Sequence, residues 1–144
     1  MTVAPVPLGL GYLSYALKTR RGDETRIVDG RRHRLSPEAV VSEAERFGAQ
    51  AAGVTAMTFE APEAIELIAR FKERLPEVPV IIGGPHATGY GPSLLERCRA
   101  DHLVMGEGED TLVELLDALE GDRDLADIAG RAGREGGKDR KSVV

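Results

Sequence analysis

The stretch from Val78 to Thr111 constrains the fold of this chain more than any other. It reads V-P-V-I-I-G-G-P-H-A-T, then a variable connection, then H-L-V-M-G-E-G-E-D-T. Each half is a short apolar run that stops in glycine: Val80-Ile81-Ile82 before Gly83-Gly84, and Leu103-Val104-Met105 before Gly106-Glu107-Gly108. Short β-branched runs without alternation predict strands buried on both faces of a parallel sheet. Glycine at a strand's carboxyl end permits positive φ and lets another backbone or a ligand come close. In open α/β sheets ligands bind at that edge. Two neighbouring strands are therefore expected to deliver two glycine loops to one rim.

The rest of the chain supplies alternating helices and strands. Leu10, Leu13 and Leu17 recur at helical spacing and predict an amphipathic helix to about Arg20, with Gly22 as its stop. Thr25 to Asp29 (T-R-I-V-D) is a short strand candidate, and Arg31-Arg32-His33-Arg34 a polar loop. Ser36-Pro37-Glu38 is a helix start, with an N-cap serine, proline at N1 and an acid in the first turn. Val40, Ala44 and Phe47 form its apolar face, and Gly48 ends it. Ala51 to Met57 predicts a buried strand, and Pro62 opens a helix carrying Ala64, Leu67, Ile68, Phe71 and Leu75 on one side. After the strand at Val78 to Ile82 come a loop through Gly89 and Gly91, a helix from about Pro92 to Arg99, and a strand at Asp101 to Met105. Leu112, Leu115, Leu116 and Leu119 mark a last helix closed by Gly121. Arg131 to Arg140, with three glycines and alternating charges, predicts a linker.

This alternation predicts a doubly wound, three-layer α/β fold around a parallel sheet with right-handed crossovers. In the flavodoxin-like (Rossmann-like) order 2-1-3-4-5 the first strand is central. Here only Thr2-Val3-Ala4 precedes the first helix, so that strand is expected to be short or missing, with the chain a fragment. The expected division is an α/β domain over residues 1–128 and a flexible linker or truncated tail over 129–144.

The net charge of −5 over 144 residues leaves no basic footprint for nucleic acid. No apolar run is long enough to span a membrane and no signal-peptide pattern opens the chain, so a cytoplasmic protein is expected. The single cysteine, Cys98, excludes a disulfide framework and a multi-cysteine metal site within the chain, and is expected to be a semi-buried helix residue.

Five segments occur in order: Pro7-Leu8-Gly9-Leu10-Gly11-Tyr12-Leu13, Ile27-Val28-Asp29, Gly53-Val54-Thr55, Gly83-Gly84-Pro85-His86-Ala87-Thr88 and Gly106-Glu107-Gly108-Glu109. Together they resemble the cobalamin (B12)-binding domain of B12-dependent radical S-adenosylmethionine enzymes, over about Pro7 to Ile128. The resemblance implies a flavodoxin-like domain whose strand-end loops hold cobalamin, its nucleotide tail threaded among them. Gly83, Gly84, Gly106 and Gly108 would leave room for the tail, with Glu107 between the last two. Thr55 and Thr58 would hydrogen-bond the tail or corrin amides, and His86 and Thr88 would border the pocket. Other cobalamin domains carry Asp-x-His-x-x-Gly, whose histidine ligates cobalt. Here Asp29 is followed by Gly30, Arg31 and Arg32 before His33, which implies cobalt without a protein histidine ligand.

The resemblance also implies a parent enzyme that uses S-adenosylmethionine and a [4Fe–4S] cluster. The cluster needs three cysteines in Cys-x-x-x-Cys-x-x-Cys, which Cys98 alone does not supply. The chain is thus expected not to be catalytic alone, and to partner a radical S-adenosylmethionine barrel in cis or in trans, with no nucleic acid or membrane. Two other readings use the same residues: a flavodoxin-like module for another nucleotide-tailed ligand such as a flavin, and a truncated, cofactor-free domain. Taken singly, Gly83-Gly84 also suits a plain turn, His86 a packing residue, and Glu107, Glu109 and Asp110 acids at a helix amino end.

Overall fold

The computed structural model describes residues 8–30, 32–55, 61–106, 108–121, 125, 128–135 and 138–142. Five helices alternate with strands: α1 (Leu8–Arg21), α2 (Pro37–Phe47), β1 (Ala52–Thr55), α3 (Ala61–Arg74), β2 (Val80–Gly83), α4 (Pro85–Tyr90), β3 (His102–Val104), α5 (Glu109–Leu119), β4 (Arg131–Glu135) and β5 (Lys138–Ser142). A 3₁₀ turn, Gly91–Glu96, follows α4.

Local chemistry fixes several boundaries. The Ser36 side chain accepts the Ala39 N–H at 3.2 Å, with Pro37 in the first turn, so α2 starts where the sequence predicts. It ends at Gly48 in the left-handed conformation (φ 74°), whose N–H reaches the last turn's carbonyls. Lys72 of α3 pairs with Asp101 at 2.8 Å, and the same carboxylate accepts the Val80 N–H at 2.8 Å. One ion pair thereby ties the starts of β2 and β3 to the end of α3.

The sheet runs β1-β2-β3-β4-β5. The first three strands are parallel, with Thr55 beside Gly83, and β4 and β5 are added antiparallel. Alternation on β2 separates two cores. Val80 and Ile82 join Val41, Ile68, Phe71 and Leu103 on one face, while Ile81 joins Val104, Leu115, Ala118 and Ile128 on the other. Helices α2 and α3 cover the first face, and α5, with α1 packed on it, the second. The result is the three-layer, flavodoxin-like α/β arrangement expected from the sequence.

Four expectations are corrected. Thr25–Asp29 forms no strand; residues 22–29 run without regular structure, tied at Thr25 to the Ser14 hydroxyl and by Arg26 stacked 5.0 Å over Phe47. The strand predicted from Ala51 spans only Ala52–Thr55 within the described residues and is half exposed rather than buried, because it lies at the sheet edge. The loop after Gly84 contains α4, and the helix expected from Pro92 to Arg99 is the 3₁₀ turn, which leaves Cys98 buried beyond it rather than semi-buried within a helix.

The fourth correction is the segment read as a linker, which forms β4 and β5. Its anchor is Arg131, fully buried, with Nη2 3.0 Å from His102 Nδ1 and Nη1 donating to the Leu125 carbonyl at 3.2 Å. A guanidinium has no acceptor, so His102 Nδ1 accepts and the ring is neutral. Burial, and then the Arg131 charge, hold the His102 pKa down at about 4. Gly133 faces this pair: a Cβ there would stand 1.9 Å from Arg131 Nη2 and 2.8 Å from His102 Nδ1.

Candidate functional site

The three parallel strands end at one rim. Thr55 closes β1, exposed, directly beside Gly83 of β2. Gly84 then turns the chain at φ 94°, a conformation that side chains strain to adopt, and α4 begins at Pro85. Ala87 is fully buried and seats α4 against the sheet. On the next loop Gly106 stands at φ 73°, and a Cβ built there meets nothing within 4 Å.

Thr88 joins the two loops. Its hydroxyl oxygen accepts the Gly106 N–H at 2.8 Å, across a separation of 18 residues. The hydroxyl proton remains available to donate to a group above the rim. The sequence places Thr88 at the rim's border; the structure gives it a specific task, holding the tip after β2 against the tip after β3.

The four glycines divide by role. Gly84 and Gly106 carry positive φ, so their backbones require glycine. Gly83 has ordinary room: an added Cβ would lie 3.6 Å from the Val104 carbonyl oxygen. At Gly108 the space is taken by the protein, since a Cβ would meet Val104 Cγ1 at 3.2 Å and Leu13 Cδ2 at 3.5 Å. Gly108 therefore lets α1 approach the end of β3. Thr58 and Glu107 lie outside the described residues, as does the side chain of His86 on α4.

Sequence reasoning missed the far wall of the rim. Beyond β3, the Met105 N–H donates to the Gly130 carbonyl at 2.9 Å, and the Thr111 hydroxyl donates to that of Ala129 at 3.1 Å. Gly130, at φ 75°, lies close enough to Thr111 Oγ1 that a Cβ would be 3.3 Å away. A glycine two residues after the buried Ile128 was the available signal.

A cavity of about 1370 Å³ opens on the other side of the rim, beneath α1 and beside β1. Of the residues singled out from the sequence as binding residues, Thr55 lines it; Gly83, Gly84, Thr88, Gly106 and Gly108 do not. His33 lies in an exposed turn after Asp29 and is likewise away from the cavity wall. Among the described residues no three His, Cys, Asp or Glu side chains converge to hold a metal, and no helix is long and apolar enough to cross a membrane. The rim presents bare main chain: Gly106 is open above its Cα, and the adjoining tip is held to it by Thr88.

Known proteins resemble this chain in sequence and in fold. An uncharacterized methyltransferase, PH0819, of Pyrococcus horikoshii is 35% identical over 135 residues, covering 93% of this chain and 29% of the relative. The chain thus spans less than a third of that relative's length. The structure of the radical S-adenosylmethionine methyltransferase TsrM from Kitasatospora setae with cobalamin and a [4Fe-4S] cluster bound superposes with a TM-score of 0.80 at 26% identity, over 94% of this chain and 26% of that one. The cobalamin-dependent S-adenosylmethionine radical enzyme OxsB, with aqua-cobalamin and S-adenosylmethionine bound, shares the fold at a TM-score of 0.79 and 18% identity, over 98% of this chain and 20% of its own. The B12 binding domain family matches residues 4–116, most of the chain and all three parallel strands. This chain belongs to the B12-binding domain family.

Proposed function

We propose that the chain carries cobalamin on the carboxyl-end rim of β1, β2 and β3, as the cofactor-holding part of a larger radical S-adenosylmethionine enzyme. The observation that carries this reading is the Thr88–Gly106 hydrogen bond of 2.8 Å, which sets two glycine tips side by side with open space above Gly106. Gly84 and Gly106 provide bare main chain, Thr55 a hydroxyl at the end of β1, and Gly83 the floor between them. Gly108 acts by admitting Leu13. Thr58, His86 and Glu107 complete the proposed set. Cobalt is held without a protein histidine ligand. When bound, cobalamin supplies a cobalt centre able to carry a methyl group, and the parent reaction is methyl transfer.

The chain's relatives support this assignment, since two solved structures of similar fold hold cobalamin. The radical S-adenosylmethionine barrel that completes the enzyme joins in cis or in trans and brings the cluster and S-adenosylmethionine. A cytoplasmic setting is part of the proposal, and the buried Cys98 forms no disulfide.

Titration with hydroxocobalamin, followed by gel filtration and absorbance, tests the reading. Saturable one-to-one retention with a shifted cobalt spectrum is expected. Retention of flavin mononucleotide with quenched fluorescence, and no retention of hydroxocobalamin, would overturn it. A His33→Ala variant tests the ligation. Its bound spectrum should match the parent's, and loss of a nitrogen-ligated signature would refute the histidine-free assignment.

A further inference from the structure

The sequence of β4, R-A-G-R-E, carries one apolar residue and so specifies its own register weakly. One register is nevertheless adopted: Arg131 opposes Val104, Ala132 opposes Leu103 and Gly133 opposes His102. Alternation puts Ala132 in the core with Ile82 and Leu103, and puts Arg131 and Gly133 on the other face with His102 and Val104. On that face Arg131 is fully buried, with Nη2 3.0 Å from His102 Nδ1. The guanidinium lies against Gly133, where a Cβ would stand 1.9 Å from Nη2. A slip of one residue would carry the charge into the apolar core around Ile82 and Leu103. It would also set Ala132 or Arg134 opposite His102 in place of the glycine.

His102 is a fixed reference for this contact. Its neighbour Asp101 accepts the Val80 N–H and pairs with the Lys72 ammonium, both at 2.8 Å, which pins the start of β3 from the other side. From there the Arg131 fork gathers a loop, because Nη1 donates to the Leu125 carbonyl at 3.2 Å. Two acceptors on different segments suit a planar guanidinium, whose donors point in fixed, divergent directions. The loop so closed brings Gly130 to the rim. The Gly130 carbonyl accepts the Met105 N–H at 2.9 Å, one residue before the Gly106 tip. The carbonyl of the exposed Ala129 accepts the Thr111 hydroxyl at 3.1 Å.

We propose that Arg131, acting through His102, is a positioning residue that sets the register of β4 and so holds Ala129 and Gly130 as a third tip of the cofactor rim. The part of this inference that concerns the cofactor rests on the cobalamin reading above. Burying a guanidinium costs free energy that an apolar side chain of similar volume avoids. What sets the arginine apart from such a side chain is that only one register satisfies it. Arg131 itself touches no ligand; it acts on the rim through the chain of Gly130, its neighbour.

The test is Arg131→Met in the full chain, which keeps apolar volume and removes the fork. Met105 and Gly130 are a hydrogen-bonded pair, so Val104 and Arg131 are a close pair whose Hα atoms give an NMR cross-peak. In the variant that cross-peak should weaken, and Met105 amide exchange should quicken on the order of tenfold. Ile82, inside β2, should change by about twofold or less. Hydroxocobalamin affinity should fall about fivefold. His102→Gln, which keeps an acceptor for the fork, should leave all four readouts at the parent values. Should Arg131→Met not fold, Arg131→Lys, whose single ammonium does not reproduce the fork, is read in the same way. Parent-like Met105 exchange and an intact cross-peak overturn the proposal, as does an acceleration at Ile82 equal to that at Met105, the mark of lost stability alone. A variant that loses the register yet keeps its hydroxocobalamin affinity overturns the link to the rim. Failure of the parent chain to retain hydroxocobalamin sinks the cofactor reading and the third tip with it, while the cross-peak and the Met105 amide still decide the register.

Discussion

Replacing Thr88 with valine removes one hydroxyl and preserves shape, which isolates the bond between the two rim loops. The bond is 2.8 Å long and both residues are exposed, so water substitutes in part for the lost acceptor. A neutral hydrogen bond contributes about 0.5–1.5 kcal/mol net, and solvent access places this one near the lower half, about 1 kcal/mol. Global stability should fall by no more than that. The functional effect has the same size, because a looser Gly106 tip must be ordered again on binding. About 1 kcal/mol corresponds to roughly fivefold in Kd. Two readouts follow from one variant: hydroxocobalamin affinity weakened about fivefold, and Gly106 amide exchange accelerated by a similar factor. Thr88→Ser keeps the oxygen and should restore both. If Thr88→Val leaves the Gly106 amide and the affinity unchanged, the two loops are held by something else and the bond has no organising role.

Three further outcomes follow from the same geometry. Gly133→Ala should destabilise the fold by about 2–4 kcal/mol in urea titrations, since its Cβ would stand 1.9 Å from Arg131 Nη2 and displace a fully buried guanidinium. Gly106→Ala should lose about 1 kcal/mol through its φ of 73° alone, because nothing crowds the Cβ, and Gly106→Asn should lose less. His102 carries a folded-state pKa of about 4 against an ordinary 6.5, so the unfolded chain binds the proton more readily. Its contribution is intact above about pH 6.5 and is lost as pH falls toward 4, by about 2 kcal/mol at pH 5 at 1.4 kcal/mol per pH unit. Urea midpoints at pH 7 and pH 5 should show this drop, and His102→Gln should flatten it.

The legible parts of the sequence were those where one local rule sufficed. Ser36-Pro37 and Gly48 bounded α2 by capping chemistry alone, and Val80-Ile81-Ile82 proved buried on both sides. The tips at Gly84 and Gly106 were legible for the same reason, since a glycine after an apolar run already signals an unusual backbone. Gly108 looked identical in sequence but answers to Leu13, almost a hundred residues away, and no local rule reports that contact. Arg131 misled in the opposite direction. A charged, glycine-rich segment has linker composition, yet one arginine inserts beside His102 and is fully buried. Composition averages over such single anchors.

The two misread strands share a physical cause. T-R-I-V-D has strand propensity, but a strand is a property of a ladder, and propensity spans only about 1 kcal/mol against a partner's hydrogen bonds. Thr25–Asp29 borders the cavity instead of a neighbouring strand, so its chain is held by side-chain ties from α1 and α2, the Ser14–Thr25 contact and the Arg26–Phe47 stack. The same gap leaves β1 as an edge, half exposed where its apolar composition anticipates burial on both faces. The sequence reading expected the central first strand to be short or missing, yet it still read T-R-I-V-D as a strand and the strand from Ala51 as buried. Both segments line one cavity of about 1370 Å³, and on that side each lacks the neighbour whose hydrogen bonds make a strand.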